Sequence, residues 1–417
     1  MHPSSYLNNL GQIAQASQKI TRRFGQFERS APDQTRLFLF LEIFACEGGI
    51  QSYVQDIFRG LTAETGESGP SPTADVFLLR DSAVNELTNE FASETLRFHY
   101  FKQTSPRRDR VRFASRLFSY LVQQRPQHVY CGHINLAPLV ALFCQPLGIP
   151  YTVLTYGKEV WQPLPAAANR ALRQADQIWT ISRYSRDQAC SANQLDPSKI
   201  RLLSCAIDGT AFTPGTKSPE LLQRYGLTGA QVLMTVARLW SGDIYKGVDV
   251  TIRALPVIAQ AFPDVKYLVI GRGDDQPRLA QLAQDLGVAD RVVFAGFVPT
   301  ADLMDHYRLA DAYIMPSQEG FGIVYLEAMA CGIPVLSGDA DGSADPLQDG
   351  RLGWRVPHRS VGATTQACLE ILGELDKRHR GEAHDQRCDG TWLRQQALEQ
   401  FDKPAFTRQL HLLLRQS

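Results

Sequence analysis

The sequence predicts an α/β protein of two doubly wound domains, and three observations predict it. Short apolar runs alternate with amphipathic stretches of helical spacing twice over, once across residues 37–204 and again across residues 232–375. Residues 209–228 lie between the two series and hold Pro214, Gly215 and Pro219, the marks of a linker. The apolar runs of the first series end repeatedly in glycine or polar residues, at Gly48, His133, Glu159 and Ser182. In an open parallel sheet that edge is where ligands bind. A length of 417 residues suits about two domains, and 44% apolar residues supply full cores.

Residues 1–34 are rich in Gln and Ser and carry Leu7, Leu10, Ile13, Ile20, Phe24 and Phe27 at near-helical spacing. They read as an N-terminal helical arm, docked on its own domain or frayed, with a membrane-surface helix as the sharper alternative. The first domain is expected over 35–212. Its first strand, 37–41, runs into Gly48-Gly49 ahead of a helix over 51–61, and paired glycines there let bare backbone meet a ligand. Strands are expected at 76–79 and 95–100. A helix over 106–123 sets Arg107, Arg108, Arg110, Arg112 and Arg116 beside Val111, Phe113, Leu117, Phe118 and Leu121. Such a charge run is ordinarily a solvated face, and a basic amphipathic helix also suits an anionic lipid surface. Strands at 128–131, 151–155, 177–181 and 200–204 complete the first sheet. The second domain, 213–402, repeats the alternation with strands at 232–237, 267–270, 292–295, 312–315, 335–337 and 354–356. Helices are expected at 247–261, 276–286, 301–309, 322–331 and 360–375, with two more near 391–401 and 405–414 closing the chain.

Lys+Arg and Asp+Glu number 43 each, which argues against bulk nucleic-acid binding. The first half holds a slight basic excess and the second an acidic one, weak support for an anionic acceptor or surface near the first half. None of the eight cysteines forms a C-x-x-C pair and most sit in apolar runs, so they read as reduced core cysteines, not disulfides or zinc ligands. No apolar run reaches the roughly 18 residues that span a bilayer, and residues 1–30 hold no hydrophobic signal core. The expected location is the cytosol.

One stretch carries the chemistry, Pro316-Ser317-Gln318-Glu319-Gly320-Phe321-Gly322 followed by Ile323, Val324 and Glu327. It reads as a strand end, a loop whose glycines let backbone approach a ligand, and a short helix apolar on most sides and so buried. Gly332 stands where a helix-terminating glycine belongs, and Pro334 prevents continuation. Glu319, just before the helix, and Glu327, in its second turn, both lie toward its N-terminus. Unpaired N–H groups and partial positive charge there suit a phosphate. We therefore expect a nucleotide sugar, with the diphosphate on the helix N-terminus, Glu327 on ribose hydroxyls and Glu319 on sugar hydroxyls. The plainer alternative, a buried helix with two acids paired to nearby cations, leaves expensive carboxylates inside for no gain.

Neutralising a diphosphate takes more than a helix dipole of about half a charge. Arg238, after strand 232–237, and Lys246-Gly247, at the start of the next helix, are expected to supply the rest. Gly271-Arg272-Gly273 after strand 267–270 begins a dinucleotide-like fingerprint, but position 276 is Gln, so it need only be a tight turn. Phe297 is expected to be a core aromatic, with stacking on a base as the sharper alternative. Asp339-Ala340-Asp341 lies in a loop between Gly338 and Gly342; we expect no metal there, and Asp341-Gly342-Ser343 at most lining the ligand site.

On these residues the chain resembles the retaining GT-B glycosyltransferases of the family 4 type (glycosyl transferases group 1) over roughly 35–417. The motif carrying the resemblance is the E-x7-E pair Glu319/Glu327, together with Arg238 followed by Lys246-Gly247, and supported by Gly48-Gly49, Gly271, Gly273 and Ser182. The resemblance implies two Rossmann-like domains facing a cleft, the first for the acceptor and the second for the donor. It also implies that the last helix, 403–417, packs back on the first domain. It places the diphosphate on Arg238 and Lys246, the ribose on Glu327, the donor sugar on Glu319, Gly49 near the donor phosphate or acceptor, and His133 near the donor sugar. It further implies metal-independent transfer of a hexosyl unit with retention to a glycan or lipid-linked acceptor, without a cofactor. The chain departs from the family pattern at Tyr156-Gly157-Lys158-Glu159, where many members have His-Gly, and at Asp345, where many have Glu. Alternatives are a nucleotide-sugar 2-epimerase, which needs no acceptor, and a non-catalytic partner subunit, against which the intact Arg238, Lys246, Glu319 and Glu327 argue.

Overall fold

The computed structural model describes residues 35–46, 48–63, 73–84, 89–103 and 105–417, so the expected arm over 1–34 lies outside the described residues. The chain forms two compact units. One holds the described residues up to Ile181 with 185–203 and 407–417, and the other holds 182–184 and 204–406.

The first unit is built on seven strands: β1 (Arg36–Phe40), β2 (Ala74–Leu78), β3 (Leu96–Tyr100), β4 (His128–Cys131), β5 (Tyr151–Thr155), β6 (Gln177–Thr180) and β7 (Ile200–Leu202). Their order is β3-β2-β1-β4-β5-β6-β7, and every pair is parallel. The strands are near-continuous apolar runs because helices cover both faces of such a sheet, and Leu37, Leu39, Val129, Cys131 and Val153 sit in one core with Leu117, Leu121 and Val140 of those helices. The direction of winding reverses between β1 and β4, so the loops after Phe40 and Cys131 border the crevice where such sheets bind ligands. Residues 407–417 complete this unit. His411 Nε2 meets the Gly60 carbonyl at 2.7 Å, and Gln177 Nε2 donates to the Gln416 carbonyl at 2.9 Å.

The second unit has six parallel strands: β8 (Gln231–Val236), β9 (Val265–Ile270), β10 (Val292–Gly296), β11 (Ala312–Met315), β12 (Val335–Gly338) and β13 (Trp354–Val356). The order β10-β9-β8-β11-β12-β13 reverses between β8 and β11. The loops that leave those two strands are the ones holding Arg238–Gly247 and Pro316–Gly322. Helix Val248–Ala261 and helix Val361–His379 bury Ile252, Leu255 and Ile371, Leu372 in a shared core on one face.

The change of unit falls at Leu203–Ser204 rather than at 212–213. Ile207 N donates to the Phe401 carbonyl at 2.8 Å, and Arg394 donates to the carbonyls of Gly209 and Phe212 at 2.6 Å, which fixes 204–212 to the second unit. The expected linker also contains a helix, Pro219–Arg224, capped by the Ser218 hydroxyl on Leu221 N at 3.2 Å. Its brevity hid it, and helix Ala166–Gln174 was hidden likewise behind Pro165. Cys131, Cys144, Cys331, Cys368 and Cys388 are buried as expected of core cysteines, whereas Cys190 and Cys205 are half-buried and Cys46, in the loop after β1, is exposed. Among the described residues no helix is long and apolar enough to cross a membrane.

Candidate active site

In the second unit the helix after β11 runs Ile323–Ala330 and buries Tyr325, Leu326, Ala328, Met329 and Ala330. Gly322 precedes it at φ 90°, and a Cβ there would lie 2.5 Å from the Tyr325 ring, so only glycine fits. No side chain caps this end, which leaves its first N–H groups to a ligand. The Tyr325 hydroxyl donates to the Met315 carbonyl at 2.7 Å and ties the first turn to the end of β11. At the other end Gly332 has φ 77°, its N–H donates to the Met329 carbonyl at 2.9 Å, and its backbone packs on Gly390, as a terminating glycine requires.

The loop over 316–322 is held from several sides. Asp341, 1% exposed, accepts the Glu319 N–H at 2.7 Å and the Ser343 N–H at 2.9 Å. Burial pushes its carboxyl up to about 6, against the pull of those hydrogen bonds. Gly342 N donates to the Glu319 carbonyl at 2.8 Å, and Ser182 Oγ donates to the Gly320 carbonyl at 2.6 Å. A Cβ on Gly342 or Gly338 would overlap the carbonyls of Gly320 or Ser317. Asp341 therefore does more than line a site: it sets the backbone of Glu319.

The structure brings Glu319 and Lys246 together as an ion pair whose side chains are mostly buried. Gly247, at φ 77°, lets this turn lie against the Pro316 carbonyl. Arg238 and Glu327 take partners that the sequence did not reveal. Arg238 Nη2 lies 2.9 Å from Asp243 Oδ2. Glu327 accepts the Tyr307 hydroxyl at 2.6 Å, and burial raises its carboxyl to about 6 despite that bond. Asp243 stands in the same loop as Lys246, where an acid between two cations was a usable signal; Tyr307 ends the separate helix Leu303–Tyr307 and left none.

Gly271 and Gly273 have a structural reason. A Cβ on either would overlap a carbonyl oxygen of the neighbouring loop, that of Ala237 or of Leu239. Leu239 N donates to the Arg272 carbonyl at 3.0 Å across the same approach. Phe297 corrects the expectation of a core aromatic. It is 53% exposed, with the Arg272 guanidinium 4.8 Å over its ring. Among the described residues no three His, Cys, Asp or Glu side chains are grouped to hold a metal ion.

In the first unit His133 follows β4 and is partly buried. Its Nδ1 accepts the Asn135 N–H at 3.1 Å, which fixes the ring, and burial, then Arg80, lower its pKa. Gly49 opens helix Gly49–Thr62, and a Cβ there would meet nothing within 4 Å. The loop leading to it is anchored by the fully buried Asp81, which accepts the N–H groups of Ile43, Phe44 and Ala45 at 2.7, 3.0 and 2.7 Å. Glu159 accepts the N–H groups of Tyr156 and Gly157, the latter at 3.2 Å, and so folds its own turn.

The family "Glycosyl transferases group 1" matches residues 230–374, and the "Glycosyl transferase 4-like domain" matches residues 48–206. The chain is 37% identical over 235 residues to a GDP-mannose-dependent alpha-(1-6)-phosphatidylinositol monomannoside mannosyltransferase of Mycolicibacterium smegmatis, a match covering 53% of this chain and 60% of that protein. It is 35% identical over 210 residues to a D-inositol 3-phosphate glycosyltransferase of Mycobacteroides abscessus, covering 48% of this chain and 44% of that one. The chain thus spans about half the length of the curated relatives it matches. Among solved structures, HepE of Anabaena in complex with UDP superposes with a TM-score of 0.70 at 19% identity, covering 92% of this chain and 100% of that one. A glycosyltransferase from Rickettsia africae does so with a TM-score of 0.71 at 15% identity, covering 92% and 98%. These two show the fold alone.

Proposed function

The chain belongs to the glycosyl transferases group 1 family, with the two-sheet α/β fold of the GT-B type, and from that membership we propose that it is a retaining glycosyltransferase. It moves a hexosyl unit from a nucleotide-diphosphate sugar to a glycan or lipid-linked acceptor, without a metal or cofactor. The observation that carries this reading is the uncapped N-terminus at Gly322 beside the Lys246–Glu319 pair, at the strand-order reversal of the second unit. Arg238, Lys246 and the first N–H groups of the helix, at Ile323 and Val324, bind the diphosphate and stabilise it as it departs. Glu319 takes the donor sugar and Glu327 the ribose. The acceptor hydroxyl attacks the same face of the sugar that the diphosphate leaves, and gives its proton to the departing diphosphate as the sugar–phosphate bond breaks. His133 and Gly49 serve the sugar and the acceptor.

The GDP-mannose-dependent mannosyltransferases among the relatives make GDP-mannose the first donor to test. Slow hydrolysis and thermal shift across GDP-, UDP- and ADP-sugars measure this. One donor giving nucleoside diphosphate release and a raised melting point is the expected result; none doing so sinks the reading. An epimerase would convert the donor alone without releasing nucleotide. The proposal includes work at the cytosolic face of a membrane. Helix Pro106–Gln124 exposes Arg107, Arg108, Arg110, Val111 and Arg116, and those four arginines have no ion-pair partner among the described residues. Flotation with vesicles is expected to recover the protein only with anionic lipid.

A further inference from the structure

We propose that Asp243 is a positioning residue for Arg238, coupled through Tyr245 to the Lys246–Glu319 pair, so that both cations of the donor site are set before a diphosphate arrives. The inference rests on the reading of Arg238 and Lys246 as diphosphate ligands.

Arg238 leaves the end of β8 with its side chain 71% exposed. A long side chain so exposed samples many rotamers unless something holds it. Asp243 is only 7% exposed and belongs to the tight turn Ser241–Lys246, where its N–H donates to the Trp240 carbonyl at 2.7 Å. Its Oδ2 lies 2.9 Å from Arg238 Nη2, and among the described residues that buried oxygen has no hydrogen-bond donor. The guanidinium is thus the charge that compensates it, held by attraction at one edge with its other N–H groups available. Exposed ion pairs are ordinarily weak because both partners are loose; here one partner is rigid and already desolvated.

Tyr245 extends the arrangement. Its hydroxyl hydrogen-bonds Asp243, and burial with the charges of Glu319 and Asp243 keeps the phenol protonated. Lys246 Nζ lies 5.4 Å from the centre of its ring and pairs with Glu319. Gln318 N donates to the Tyr245 carbonyl at 3.1 Å, which ties the turn to the loop that presents Glu319. One run of residues, 243–246, thereby orders both cations and the acid facing them.

The cost is a carboxylate placed beside a site for an anion. Removing its charge favours nucleotide binding in the ground state while loosening the group that meets the developing charge. The test is a double-mutant cycle with GDP-mannose and UDP-glucose hydrolysis, GDP and UDP affinity by calorimetry, and thermal unfolding as the check on folding. D243N is expected to lower kcat roughly 10- to 100-fold, the scale of a misplaced catalytic contact, with nucleotide affinity unchanged or tighter. D243E restores most of kcat. In an R238Q background D243N costs nothing more, and Y245F lowers kcat in the same direction should D243N fold poorly. The proposal is overturned if D243N costs as much in R238Q as alone, or if it leaves kcat untouched. R238Q as active as the parent protein overturns it together with the diphosphate assignment, whereas an impaired R238Q with an additive D243N sinks the positioning role alone.

Discussion

Glu319 is neutralised by Lys246 in the same pocket that is to receive a doubly charged donor, so its removal has two effects of opposite sign. Glu319→Ala unmasks the ammonium, and GDP or UDP affinity is expected to hold or rise. Sugar transfer is expected to fall by roughly 10²-fold, the scale of one lost transition-state contact. Calorimetry beside single-turnover kinetics measures both; lost nucleotide affinity with intact turnover would reverse the roles given to Glu319. The ammonium left mostly buried without its partner should also lower stability by about 1–3 kcal/mol. The two acids were legible in the sequence because charge inside an apolar frame is expensive and must have a reason, and the two cations because they stand at a strand end and a helix start. Their nearest neighbours were not. Asp341 reaches the Glu319 backbone from another loop and Tyr307 reaches Glu327 from the end of helix Leu303–Tyr307, through single hydrogen bonds that follow no periodicity.

At the scale of elements the glycines divide by what a methyl group would meet. Gly49→Ala adds a Cβ to open space at a helix start, where alanine is favoured over glycine by up to about 1 kcal/mol. The variant should be as stable as the parent or more so, and any loss of transfer then comes from a ligand that needs the bare backbone. Full activity in G49A ends the ligand role of Gly49. Gly271→Ala is the converse, because its Cβ would overlap the Ala237 carbonyl from a backbone at φ 135°. A loss of about 3 kcal/mol or more is expected by chemical denaturation, and a stable G271A would refute the packing reason given for that glycine. The strands were readable because parallel sheets covered on both faces demand unbroken apolar runs. The turns that build the site were not, since Ser241–Lys246 is placed where Gly247 meets the Pro316 carbonyl of another loop, a tertiary contact with no local signature.

Across the whole molecule the two units hold opposite balances of buried titratable groups. In the first, His128 is buried and neutral with its pKa lowered to about 4, and His133 is lowered too, whereas burial raises Asp81 and Glu159. The lowered histidines lose stability as pH falls below about 6.5 and the raised acids gain it, so the two sets act in opposite directions. The second unit has no such opposition. Glu327 rises from 4.5 and Asp341 from 3.8, each to about 6. A carboxyl raised on folding binds its proton more tightly in the native state, so it contributes stability as pH falls from 7 toward 5 and loses it as pH rises through 6. Linkage makes this about 1 kcal/mol for each group. Hydrogen exchange of β8 and β11 amides, corrected for intrinsic exchange rates, should show the second unit better protected at pH 5 than at pH 7, and Glu327→Gln should remove about half of that difference. Equal protection at both pH values, or a difference untouched by E327Q, would mean that Glu327 is not held as a strained anion at neutral pH. That strain is what the proposed function requires: an ionised carboxylate, kept in a buried place at a cost to folding, is an acceptor waiting for hydroxyls that water no longer supplies.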